Sequence, residues 1–272
     1  MLPLTHEVAL LLYVGSLILW FRSLMSGGRG RGPMIAFGLA AAGVAVHALA
    51  LARFRADYGQ LPLNGLAPAL STVALTVGIG LVATLGLGEG RRVGIVLVPV
   101  VILLEAVAVS LGIEPPRELL DFGGAWFAFH VTLAFAGLGG LALSFASGLL
   151  YLVQLHELNT KRMGRLFQFT PPLATLDRLG RIGLVAGFIT FSLALVLGWL
   201  WTITYEQSFD QANPKVLWAI MSWLIFVAAL GVRAGGGLKE RRGALASVVG
   251  FSVIVVSYLG LRLVSSQGGF FL

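Results

Sequence analysis

Long apolar runs alternate with short polar gaps eight times along this chain, over residues 7–25, 34–53, 66–88, 93–112, 125–155, 182–204, 215–232 and 244–264. At ~1.5 Å of rise per residue, runs of about 20 residues are the length an α-helix needs to cross a hydrocarbon layer about 30 Å thick. Lipid offers no partner for backbone N–H and C=O groups, so helices that satisfy their own backbone are the form such runs must take. The pattern therefore predicts an all-α fold: a polytopic integral membrane bundle of eight helices making one transmembrane domain over 1–272.

Charge then orders the runs. Of the 19 Lys and Arg residues, 14 fall in the gaps after runs 1, 3, 5 and 7, which hold Arg22, Arg29 and Arg31; Arg91 and Arg92; Lys161, Arg162, Arg165, Arg178 and Arg181; and Arg233, Lys239, Arg241 and Arg242. By the positive-inside rule those gaps are cytoplasmic, and an even number of spans puts both termini outside. The remaining Arg53, Arg55, Arg117, Lys215 and Arg262 lie near the outer ends of spans.

Composition excludes a soluble globule, since the chain is 57% hydrophobic and 11% charged with a mean hydropathy of +0.91. The net charge of +7 is a topological signal with some attraction to anionic headgroups of the lipid bilayer, not a nucleic-acid footprint. With no cysteine, disulfides, thiolate metal sites and dithiol redox relays are excluded. The first run has no basic leader and reads as a retained span. Between runs 5 and 6, basic and aromatic residues alternate from Thr160 to Phe169, Pro171 and Pro172 interrupt, and an apolar pattern resumes at Leu173, which predicts a short interfacial helix.

Two faces carry candidate chemistry. In the fifth run His130, Ala134, Gly137, Gly140, Ser144 and Gly148 recur at spacings of three and four, so one helix face has a histidine above a strip of small residues that lets a neighbouring backbone approach. In the second run Ala36, Ala40, Gly43 and His47 repeat the arrangement. Counted from the outer ends of the runs, both imidazoles sit roughly 7–9 Å deep, and the shared depth predicts that spans 2 and 5 are neighbours with His47 and His130 facing one cavity.

Inward-facing imidazoles within a membrane suit a metal or haem iron, and equally a hydrogen bond to a hydroxyl or carbonyl across the bundle. For haem, the propionates need cations at the interface, and Arg53, Arg55, Lys215 and Arg262 are at that level; each is equally explained by snorkelling. Trp126, Trp199, Trp201 and Tyr205 form an aromatic belt at the same level. Glu105 is the one carboxylate inside a run and reads either as an ion or proton site or as a packing hydrogen bond. His6, Glu7 and His156, at run ends, are expected to be solvated. No nucleophile elbow, P-loop or zinc-protease motif occurs.

The stretches Phe129-His130, Thr175-Leu176-Asp177-Arg178, Gly198-Trp199-Leu200-Trp201 and Asn213-Pro214-Lys215 with Trp218 and Trp223 resemble the cytochrome c assembly family. That family includes the haem-handling CcsA and CcmC proteins and the shorter HemX and YpjD membrane proteins, and Val46-His47 resembles the HemX and YpjD branch. The resemblance implies a bacterial cytoplasmic membrane protein holding haem b non-covalently, with His130 and His47 as iron ligands, Trp126, Trp199, Trp201 and Trp218 around the macrocycle, and a cytochrome c maturation protein as membrane partner. Departures are definite: the dense tryptophan-rich loop is missing, no histidine occurs over 264–267, and Arg233 stands where an intramembrane histidine is expected. They imply a haem-transferring or exporting accessory rather than a synthetase. The competing readings are an ion- or proton-coupled transporter working through Glu105 and a membrane scaffold subunit without haem.

Overall fold

The computed structural model describes residues 2–28, 30–63, 65–115, 125–161, 163–205, 214–234 and 239–265. Their helices in chain order are α1 (Leu2–Met25), α2 (Gly32–Tyr58), α3 (Leu66–Ala83), a 3-10 segment (Thr84–Val93), α4 (Gly94–Leu111), α5 (Ala125–Asn159), α6 (Arg165–Phe169), α7 (Leu173–Tyr205), α8 (Pro214–Ala234) and α9 (Lys239–Ser265). Eight of them are long and apolar enough to cross a membrane, in register with the eight runs. The protein is an all-helical, multi-pass membrane protein.

Among the boundaries that differ from the runs, three have a clear local reason. α2 continues through Arg53 and Arg55 to Tyr58 because nothing in that stretch breaks a helix until Gly59, which takes φ 73° as its C-cap. The third run leaves α-geometry at Thr84, where a glycine-rich stretch with poor helix propensity winds as a 3-10 segment. The apolar residues from Leu173 onward form the first turns of α7 rather than a surface helix. Only Arg165–Phe169 forms the short helix expected between runs 5 and 6.

The helices pack as two groups. In one, α1 lies against α2 and α4, and α3 against α4 and α2; in the other, α5 lies along α7 and α9, and α8 along α9 and α7. The α3–α5 contact joins the groups. Beneath these contacts are two large apolar cores, one centred on Tyr13, Trp20, Leu97 and Val101, the other on Leu141, Leu184, Phe191 and Phe226, and a smaller one of Phe54, Ala67, Ala108 and Ile113.

The α5–α7 contact follows from the small-residue stripe. A Cβ on Gly140 would stand 2.7 Å from the Gly183 carbonyl oxygen and 2.7 Å from Gly187 Cα, and one on Gly183 would stand 2.6 Å from the Gly140 oxygen. Two backbones in direct contact leave no room there for any side chain. Ser144 continues the seam, its hydroxyl 2.8 Å from the Gly180 oxygen and 2.8 Å from Ser247 Oγ on α9.

The basic gaps meet at one end of the bundle. Arg92, at the end of the 3-10 segment, donates to the Phe169 oxygen at 2.7 Å and to the Gly28 oxygen at 3.5 Å. Phe169 is fully buried, edge-on to Trp20 with ring centroids 5.9 Å apart. Nearby, Asp177 of α7 binds Arg233 of α8 at 2.8 Å, both about one-tenth exposed, and Arg181 at 2.8 Å, which is 66% exposed. Burial decides the worth of each pair. Asp177→Asn strands Arg233 among apolar groups and is expected to cost on the order of 3 kcal/mol; Arg181→Gln should cost under about 1 kcal/mol. Thermal unfolding of the detergent-solubilised variants checks the contrast.

Candidate functional site

His130 lies on α5, half-buried, five residues from the helix start at Ala125. Its Nδ1 is 2.7 Å from the Ala194 carbonyl oxygen on α7, so Nδ1–H is the donor and the neutral ring carries its lone pair on Nε2. The contact depends on Gly198, one turn after Ala194 on the same face of α7. A Cβ there would stand 2.6 Å from His130 Cε1 and 2.9 Å from Nδ1. Missing that side chain, α7 exposes the Ala194 carbonyl to a second donor besides its own helix. Nε2 has no hydrogen-bond partner among the described residues.

This is the arrangement in which a histidine serves as a metal ligand: one ring nitrogen fixed on a backbone carbonyl, the other free and oriented. The surroundings are apolar. The second core lies below, with Ala134, Leu138 and Phe188 packed against it, while Phe129, Trp126 and Trp199 are 65%, 46% and 54% exposed at the same end. Trp201 is partly exposed. Trp218 Nε1 donates to Ser257 Oγ on α9 at 3.2 Å. The residues present thus fit one axial ligand to a haem iron, from His130.

His47 is held elsewhere. It is fully buried on α2, with Nδ1 3.4 Å from the Tyr13 hydroxyl, Nε2 2.8 Å from Ser71 Oγ and 3.1 Å from Glu105 Oε2. None of these groups belongs to α5 or α7, and α2 packs on α1 and α3 rather than along α5. The expected single cavity for His47 and His130 is therefore corrected: α2 belongs to one helix group and α5 to the other, and both nitrogens of His47 are engaged. The matched depth also fails, since α2 runs to Tyr58 and places His47 11 residues from the helix end.

His6 is the residue that the sequence reading missed. Expected at a solvated run end, it is 1% exposed, with Nδ1 2.7 Å from Glu105 Oε1 and its ring 5.7 Å from that of His47. The signal was present, because His6, Ala9, Tyr13, Ser16, Trp20 and Ser23 recur at spacings of three and four and all are buried. Glu7 and His156 are exposed, as expected. Glu105 is fully buried between the two histidines. Arg53 and Arg55 are exposed on α2, away from the α5–α7 seam, while the side chains of Lys215 and Arg262 lie outside the described residues.

A bundle of eight apolar helices with a carbonyl-pinned, half-buried histidine near one end is a polytopic membrane protein in which His130 is the candidate ligand. The family model described as "Cytochrome C assembly protein" matches residues 4–267, nearly the whole chain. The chain belongs to that family. Its curated relatives include a cytochrome c biogenesis protein CcsA of Synechococcus sp. (strain CC9605), 36% identical over 100 residues, covering 35% of this chain and 33% of the relative. Proteins of the same name from Prochlorococcus marinus (strain MIT 9303), 36% identical over 100 residues, and Synechococcus elongatus, 35% identical over 101, are matched over 31% of their lengths, by 35% and 36% of this chain. The matched segment spans about a third of each of these relatives.

Proposed function

We propose that this protein is a haem-handling accessory of cytochrome c biogenesis in a bacterial cytoplasmic membrane. It holds haem b non-covalently at His130 for transfer to, or export toward, the cytochrome c maturation machinery. The observation that carries the proposal is the His130 geometry, with Nδ1–H fixed on the Ala194 oxygen at 2.7 Å and Nε2 without a hydrogen-bond partner among the described residues. Membership of a family named for cytochrome c assembly supplies the context.

Haem, when bound, would supply an iron for ligation, and the protein's part would be to hold and orient it. His130 Nε2 would provide one ligand. The Ala194 carbonyl fixes the tautomer and the orientation of the imidazole. Gly198 leaves the ring its place, and exposed Trp126, Phe129 and Trp199 offer aromatic surface for the macrocycle. His47 is not assigned to this site, because Tyr13, Ser71 and Glu105 already engage it.

The fourteen-to-five partition of cations supports a cytoplasmic location for the basic end of the bundle and an outer-leaflet one for His130. Because the chain has no cysteine, single cysteines report on this cleanly. Asp57→Cys, at an exposed position next to the outer end of α2, should react with an impermeant thiol reagent in intact cells. Thr160→Cys, exposed at the basic end, should react only after permeabilisation. The reverse pattern would move His130 to the cytoplasmic side and overturn the export direction. Haem binding itself is tested by the Soret absorption of the purified protein and its His130→Ala variant.

A further inference from the structure

The four-helix group contains a polar cluster that haem ligation at His130 does not use. His6 from α1, His47 from α2 and Glu105 from α4 are 1%, 0% and 0% exposed, and one ligand atom from each lies within 4.8 Å of the others. Bringing two imidazoles and a carboxylate together from three helices, in a protein with few charges inside its spans, is a specific arrangement. We propose that His6, His47 and Glu105 bind a single divalent transition-metal ion of the zinc class.

Three observations support a cation over a closed hydrogen-bond network. The first is the donor set: two neutral imidazoles with one carboxylate suit borderline divalent cations. The second is spacing. Ligands at ~2.0–2.2 Å from a common ion stand about 3–4 Å apart, a separation that small side-chain rotations reach from the present one. The third is buried charge. Glu105 is fully buried, and two neutral imidazoles leave its carboxylate uncompensated, whereas a divalent ion between the three neutralises it.

The supporting contacts are those that orient metal ligands. His6 Nδ1 lies 2.7 Å from Glu105 Oε1, so Nδ1 is the nitrogen turned toward the carboxylate and would ligate the shared ion, with the ring hydrogen moving to Nε2. His47 Nδ1 lies 3.4 Å from the Tyr13 hydroxyl, and donation there leaves Nε2 its lone pair, beside Ser71 and Glu105. His6 is four residues from the start of α1, roughly 6 Å along the helix, so the cluster lies within reach of the bundle end opposite the basic gaps.

The test is direct titration of the full-length protein, purified in detergent without added haem, with Co(II) as a spectroscopic stand-in for zinc. One equivalent should bind and give visible ligand-field bands, and Zn(II) should displace it. Glu105→Gln and His6→Gln, which keep side-chain volume, should each weaken Co(II) binding at least about tenfold, and exposed His156→Ala should not change it. A wild-type protein that takes up neither ion would overturn the proposal, as would an unchanged affinity in both variants. Should the variants fail to fold, X-ray absorption of the zinc-loaded wild type decides: scattering from two imidazoles supports the site, and an all-oxygen shell overturns it. The Soret band is read separately at His130, so failure here leaves the haem proposal standing, and failure of haem binding leaves this one.

Discussion

Gly140→Ala is expected to be among the most damaging single-methyl changes in the protein. The new Cβ would enter the space occupied by Gly183 and Gly187, whose backbone atoms stand 2.7 Å from its position. A flexible side chain could swing away, but a helix backbone yields only if α5 and α7 separate along the whole seam. Overpacking of this kind costs on the order of 3 kcal/mol, and the change also loosens the close approach that holds membrane helices together. Gly38→Ala is the matched control. Gly38 lies on an exposed face of α2 with nothing within 4 Å of its Cβ position, so the substitution should be neutral or stabilise by up to ~1 kcal/mol through helix propensity. Thermal unfolding in detergent should show a large loss for Gly140→Ala and none for Gly38→Ala. Equal effects would mean that the α5–α7 seam is not in direct backbone contact.

The seam matters for function because it seats His130. The ring rests over Gly198 and binds the Ala194 carbonyl, both on α7, so separating α5 from α7 should also release Nδ1. Gly198→Ala is a sharper probe of that link: its Cβ would stand 2.6 Å from the ring, displacing the imidazole without removing it.

Much of this was legible in the sequence, for physical reasons. Eight apolar runs became eight membrane-length helices because lipid permits no other use of such runs. The stripe from His130 to Gly148 showed which face of α5 is buried, and Gly137, Gly140 and Gly148 do meet neighbouring helices. What a stripe does not show is which helix covers it. His47 and His130 both faced inward as expected, yet onto different partners, because tertiary packing alone assigns α2 and α5 to different helix groups. His6 was missed since a histidine near the end of an apolar run resembles a solvated terminus. Its partner, Glu105, is 99 residues away along the chain. No local spacing reports a contact of that range. Helix ends were the other loss: α2 runs past Arg53 because charge marks the edge of an apolar run, not the end of a helix.

The central claim is that His130 is an iron ligand, and substitution there should have the largest functional effect. His130→Ala removes Nε2 while leaving the Ala194 carbonyl bonded within its own helix, so the fold should survive and haem affinity should fall well over about tenfold. His130→Ala with added imidazole should recover part of the binding, since the small ligand can occupy the vacated place; a purely structural histidine would show no such rescue. Glu105→Gln, in the other helix group, should leave the haem spectrum in place. If a transporter-like role through Glu105 were the true one, the two variants would exchange phenotypes.

The decisive measurement is a hemin titration of the gently purified wild-type protein beside His130→Ala, followed at the Soret band. Ligation by His130 predicts one equivalent of haem with a histidine-ligated spectrum in the wild type and a strongly weakened, altered spectrum in the variant. No spectral response to hemin in the wild type, or an identical titration in the variant, would contradict it.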